Sequence, residues 1–243
     1  MIWFIIATLV AFFIKGLCGF ANTLIFNGIL SYTANNINIS PLEVVLGYPS
    51  NIILVWKERK SLNWKIWLPL TALVVAGSIP GIFLLKHTDA GLLKVIFGIA
   101  VIIIGIEMLL REMKSSKSSN KKSGGSKIVL VLTGIISGLL CGLYGVGALL
   151  AAYVSRVAEN SHEFKANICV VFVVENTIRI ILYAATGILT LAVLKQVVIL
   201  IPFMLAAVFL GMKSSSVLNE KVIKKIVIVL LILSGIVLII NNL

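Results

Sequence analysis

Apolar runs, each near the length of a membrane-crossing helix, follow one another along almost the whole chain. Six read as ordinary spans, at about 41–56, 66–85, 90–110, 166–187, 191–211 and 222–241. A hydrocarbon layer about 30 Å thick takes about 20 helical residues, so six such runs leave a chain of 243 residues no room for a sizeable soluble domain. Only 12% of the residues are charged, against roughly 25% in soluble domains. That excludes a soluble enzyme and a nucleic-acid binder, although Lys and Arg outnumber Asp and Glu by 21 to 9. In a membrane protein such an excess marks cytoplasmic loops. The apolar N-terminus has no basic region before it and no small-residue cleavage site, so it is expected to be a retained membrane element. Cys18, Cys141 and Cys169 lie in apolar runs without a CxxC pair, and are expected to be buried thiols.

The one long polar stretch, 111–127, is rich in Ser, Lys and Gly and reads as a basic cytoplasmic linker. It divides a first membrane repeat, 1–110, from a second, 128–243. Two apolar stretches do not fit a plain span. Residues 2–33 are too long for one helix and are interrupted at Lys15–Asn22 (KGLCGFAN), while 128–154 are interrupted at Cys141–Gly147 (CGLYGVG). Arms of roughly 12–14 residues, about 20 Å of helix, suit re-entrant half-helices. A single kinked helix in each place is the other reading. Gly16, Gly19 and Ala21 recur as Gly142, Gly145 and Gly147 after 126 residues, and Gly81, Lys94 and Gly105 recur as Gly211, Lys224 and Gly235 after 130. The ordered set indicates an internal duplication.

Charge placement separates the two readings. With both odd stretches as full spans there are eight crossings, and Lys and Arg divide 11 to 8 between the two sides. With both re-entrant, the loop 57–65, the linker, Arg156 with Lys165 and the 213–225 group share one side, a division of 16 to 3. The positive-inside rule favours the second. Each half then crosses an odd number of times, so the repeats are inverted and both termini face outward. The expected fold is an all-α polytopic membrane protein of two inverted four-element repeats, each opening with a glycine-broken re-entrant or kinked helix pair.

Irregular backbone at membrane depth survives only where protein or a watery cavity covers it, so the two breaks mark the expected central site. There a half-helix presents unpaired N–H groups and a partial positive charge, and glycine lets an anion approach them. Close helix packing is the alternative use for the same glycines. Gly16, Gly19, Ala21, Gly142, Gly145 and Gly147 are therefore candidate substrate-binding positions. Lys15 at the first break either pairs with substrate or reaches an interface. Glu175 and Arg179 lie four apart in mid-span and so share a helix face. They form either a closed pair or a site in which Arg179 binds an anion and Glu175 exchanges a proton. Asn176 lies between them, and Asn51 in the polar, Pro-broken segment Gly47–Asn51 near the same offset lines the same cavity. Asn22 and Asn27 add hydrogen bonds or packing. Glu43 and Glu107 fall near span ends and are expected at the interface, while His87 and His162 fall in loops.

Enzyme chemistry lacks its parts. Asp89 is the single Asp, there is no HExxH, Ser137 has no intramembrane His to activate it, and no GxxxxGK[ST] occurs. No cofactor or metal is expected.

The glycine signatures GLCGFA and GLYGVG, the basic loop WKERKSLNWK and the run VVENTIRIILYAATGILT together resemble the sulfite exporter TauE/SafE family of permeases, across nearly the whole chain. The chain departs from that pattern at Ala21-Asn22, where the family is richer in glycine. The resemblance implies a secondary transporter of small, often sulfur-containing anions such as sulfite or sulfonates. The expected function is anion export across the cell membrane by alternating access. The expected partners are a small anionic substrate, the bilayer and a coupling proton or sodium ion. A homo-oligomer stays open, and nucleic acid is not expected. A non-transporting membrane assembly factor and an anion channel are the alternatives.

Overall fold

The computed structural model describes residues 1–30, 36–84, 127–145 and 147–240, with 95, 99, 102, 103, 105, 106, 109 and 110 between them. The linker at 111–126, most of the expected span 90–110, and His87 and Glu107 lie outside the described residues. Among the described residues the regular elements are all helical. They are α1 (Ile2–Cys18), α2 (Asn22–Leu30), α3 (Asn36–Glu58, followed by a 3-10 turn at Arg59–Ser61), α4 (Trp64–Leu84), α5 (Lys127–Tyr144), α6 (Ala148–Val157), α7 (Ser161–Ala185), α8 (Leu191–Val217) and α9 (Glu220–Ile240).

Three described segments, Ile39–Ser61, Ser161–Ala185 and Leu191–Val217, are long and apolar enough to cross a membrane. Polarity is distributed as lipid demands. Ile181, Val198 and Phe209 are exposed, while Lys15, Glu43, Glu175 and Arg179 are buried. In water that arrangement leaves a large apolar surface unsatisfied; against hydrocarbon it is the stable one.

Both breaks are present and shorter than expected. Lys15 and Gly16 belong to α1, and Gly142 belongs to α5; among the described residues 19–21, Gly145 and Gly147 interrupt the helices. The arms are unequal, 17 and 9 residues in the first half and 18 and 10 in the second. Gly47–Asn51, expected to be broken at Pro49, lies inside a continuous α3 that also carries Pro41. Ser50 Oγ donates to Gly47 O at 2.6 Å there, a polar contact beside a residue with no N–H of its own to offer. Helix α7 begins five residues before its hydropathy run because a cap overrides composition. Asn160 Oδ1 accepts from Glu163 N at 2.9 Å, and Glu163 Oε2 accepts from Glu159 N at 2.5 Å, a pattern close to a capping box and a contribution of about 1 kcal/mol.

The packing is paired. α1 lies along α8 and α5 along α4, α3 lies along α7, and α4 touches α7 as α8 touches α3. Exchanging α1, α3 and α4 for α5, α7 and α8 leaves this set unchanged. Glycines make the closest approaches. A Cβ on Gly16 would run into Val208 O and stand 3.1 Å from Gly211 Cα, and a Cβ on Gly81 would stand 3.3 Å from Gly142 Cα. These four glycines make up two of the pairs that the sequence matches between halves, Gly16 with Gly142 and Gly81 with Gly211.

Helices α3 and α7 run antiparallel along their lengths. Ser40 Oγ is 3.2 Å from Tyr183 OH, Thr177 Oγ1 is 3.4 Å from Tyr48 OH, and His162 Nδ1 is 2.8 Å from Glu58 Oε2. Helices α4 and α5 run in the same direction, with Leu73 against Gly134, Val74 against Gly138 and Ser78 against Gly142. The end at which α3 meets α7's first turn collects several basic segments. Asn63 N donates to Asn167 Oδ1 at 3.0 Å, Lys57 Nζ donates to Met212 O at 3.4 Å, and Lys165 Nζ donates to Ser215 Oγ. Helix α5 leaves this basic end beside α4, and α6 brings the chain back to it.

Candidate substrate site inside the membrane

Four buried charged residues, Lys15, Glu43, Glu175 and Arg179, gather where the two breaks meet the α3–α7 crossing. Lys15, on the last turn of α1, donates from Nζ to Asn22 Oδ1 at 2.9 Å and stands 5.7 Å from the Phe172 ring centroid. Asn22 opens α2 directly after Ala21, a non-glycine residue at φ 72. Its Nδ2 donates to Glu43 Oε1, and Thr23 Oγ1 donates to the same oxygen at 2.8 Å. Asn22 thus uses its amide oxygen on a cation and its amide nitrogen on a carboxylate.

A second cluster adjoins the first. Arg179 Nη2 donates to Ser40 Oγ at 2.9 Å and to Tyr183 OH at 3.1 Å. Its Nε faces Glu175 Oε1 at 3.6 Å, an ion pair too long for a hydrogen bond, and both of those atoms lack a hydrogen-bond partner. Gly145 joins the clusters. At φ 69 it sits in the left-handed region, and a Cβ there would stand 2.8 Å from Arg179 Nη1 and 2.9 Å from Thr23 Cγ2. The second break is therefore pressed against both α7 and the start of α2. Gly147 lies against the Phe172 ring, the same ring whose centroid stands 5.7 Å from Lys15 Nζ.

One face of α3 closes the site. A Cβ on Gly47 would stand 3.3 Å from Glu43 Oε1, 3.5 Å from Asn176 Nδ2 and 3.6 Å from Asn22 Nδ2. One turn further, Asn51 is fully buried and neither polar atom of its amide has a partner among the described residues; the same holds for Asn27 Oδ1. Buried amides left open in this way lose free energy unless a water or ligand meets them.

The expected site residues thus divide. Lys15, Asn22, Gly145, Gly147, Glu175, Asn176 and Arg179 come together, with Asn51 a turn away. Gly19 and Ala21 shape the first break, and Gly19 O accepts from Cys169 Sγ at 3.4 Å. Gly16 and Gly142 lie at the helix crossings, where close packing is their visible role. Glu43 corrects the expectation of an interfacial carboxylate. Helix α3 starts at Asn36, so Glu43 lies about two turns inside it and is 2% exposed. Thr23, Ser40, Phe172 and Tyr183 were not singled out from the sequence; the spacing of Ser40, Glu43, Gly47 and Asn51 along one helical face is the signal that would have found the α3 members.

The charges of Lys15 and Arg179 balance those of Glu43 and Glu175, and none of the four recurs in the other half of the sequence at the matching position. At the same offset of 126 residues, their counterparts are Cys141, Ile53, Cys169 and Pro49.

Residues 4–238 match the sulfite exporter TauE/SafE family. The chain belongs to that family. No curated protein and no solved structure matches the chain. TauE/SafE proteins are multi-pass membrane transporters rather than enzymes.

Proposed function

We propose that this chain is a secondary transporter of the cytoplasmic membrane that exports small sulfur-containing or organic anions, of the sulfite or sulfonate kind, by alternating access. The observation that carries the reading is the placing of two buried cations, Lys15 and Arg179, where the two helix breaks meet. The anion is held between them, with the first-turn amides of α2 and α6 adding donors and Asn22, Asn51 and Asn176 supplying amide contacts. Glu175, whose Oε1 has no hydrogen-bond donor, exchanges the coupling proton; sodium is the competing ion to test.

In this reading residues 1–110 and 128–243 are inverted repeats joined by the cytoplasmic linker 111–127. The antiparallel α3–α7 pair supports it, because equivalent helices of inverted repeats must run in opposite directions. The collection of basic segments at one end supports re-entrant first elements. A reporter fused after Leu243 should then be active only in its extracytoplasmic form; a cytoplasmic signal restores the eight-span path.

Purified protein in proteoliposomes should give saturable flux of at least one member of a panel of sulfite, thiosulfate, sulfonates and carboxylates, stimulated by counter-substrate. Absence of flux for the whole panel favours an assembly factor. Flux that neither saturates nor responds to counter-substrate favours a channel.

A further inference from the structure

We infer that Lys165 is a third anion-binding residue of the transport path, a station at the basic end that passes a small anion to and from Lys15. The inference rests on the transporter reading above and extends it to a residue outside the central cluster. Lys165 lies in α7's second turn, where its loop-proximal position alone would make it a solvated topological charge. It is instead 3% exposed. Its stem packs against the first break: a Cβ on Gly19 would meet Lys165 Cγ at 3.0 Å and Lys165 Cα at 3.4 Å.

Its ammonium donates to the Ser215 hydroxyl at the end of α8. It forms no ion pair among the described residues. Glu58, whose field reaches Lys165, is engaged at Oε2 by His162 at 2.8 Å. Lys15 is in the same condition: buried, bonded to a neutral amide oxygen, and outside any ion pair among the described residues. A buried ammonium held only by neutral acceptors is stabilised strongly by an arriving anion, and residues of this kind inside membrane proteins mark ion pathways.

The register of α7 turns these separate cations into a series. Lys165, Cys169, Phe172, Asn176, Arg179 and Tyr183 follow one another at spacings of four and three and are all buried, so they form one stripe down the helix. Lys15 is seated over Phe172. Lys165, Lys15 and Arg179 therefore stand at successive levels about 10 Å apart, at about 1.5 Å of rise per residue. An anion released by one meets the next within a short displacement. The first break, with Gly19 between Lys165 and Lys15, is the segment it passes.

The test uses reconstituted full-length protein and the panel anion that the unaltered transporter moves best, with KM measured separately from each membrane face. Lys165→Met and Lys165→Gln should raise KM roughly tenfold or more from the basic face, with KM from the opposite face changed less than about twofold. Lys165→Arg should restore the basic-face value. Lys165→Gln keeps a donor for Ser215, so it decides the matter if the Met variant fails to fold. Equal KM changes at both faces, or none, overturn the assignment. If the unaltered protein moves no panel anion, the transporter reading itself falls and this inference falls with it.

Discussion

Arg179→Met should reduce anion flux in proteoliposomes to about a hundredth or less, since loss of a buried charge contact costs about 2–5 kcal/mol. It should also destabilise the fold by about 3–5 kcal/mol, the usual result of leaving the partner of a buried ion pair alone. Glu175 would lose the one cation within ion-pair distance of it among the described residues, and Ser40 and Tyr183 would lose their shared donor. The two effects separate in the double variant Arg179→Met with Glu175→Gln. Removing the stranded carboxylate should recover most of the thermal stability in detergent while substrate exchange, which moves no net proton through Glu175, stays low beside that of the single variant Glu175→Gln. Recovery of both would make Arg179 a structural residue and remove it from the substrate site.

A comparable loss should follow from Gly211→Leu. At that crossing the obstruction is main chain on both sides: a Cβ on Gly211 would run into Phe13 O and stand 2.9 Å from Leu17 N and 3.0 Å from Gly16 Cα. Side chains can rotate away from an intruding group, whereas two helices at backbone contact must separate. Overpacking ordinarily costs about 1–3 kcal/mol; here the α1–α8 interface has to open, and the expected cost is at least about 3 kcal/mol. Leu210→Ala, one residue earlier and 58% exposed on the lipid-facing side, should stay within about 0.5 kcal/mol. Chemical denaturation or thermal melting in one detergent measures both, and similar losses for the two would show that the crossing tolerates separation.

Hydropathy made the spans legible, and glycine made the breaks legible, because both signals are local. Burial depth was not local. Glu43 looked interfacial because its hydropathy run begins at about 41, whereas the helix that carries it already runs from Asn36. Lys165 was read as a loop charge for the same reason: the cap at Asn160 starts α7 before its apolar run begins. Pro49 was read as a breaker, yet α3 continues through it with Ser50 bonded to Gly47 O. Gly16 and Gly142 carry one signature for two uses, anion approach and helix contact, and only the neighbouring helix distinguishes them. Lys15, Glu175 and Arg179 were legible because a charge deep in an apolar run is too costly to lack a role.

The mismatch between a paired scaffold and an unpaired set of charges has a mechanical consequence. Under the alternating access proposed above, two halves that pack alike would move about the α3–α7 crossing at similar cost in either direction. The four charged residues would have no charged counterpart on the other half, since Cys, Ile, Cys and Pro stand at the matching sequence positions. The inward- and outward-facing states would then hold an anion with unequal affinity, an asymmetry lodged in four side chains while the main chain stays even-handed.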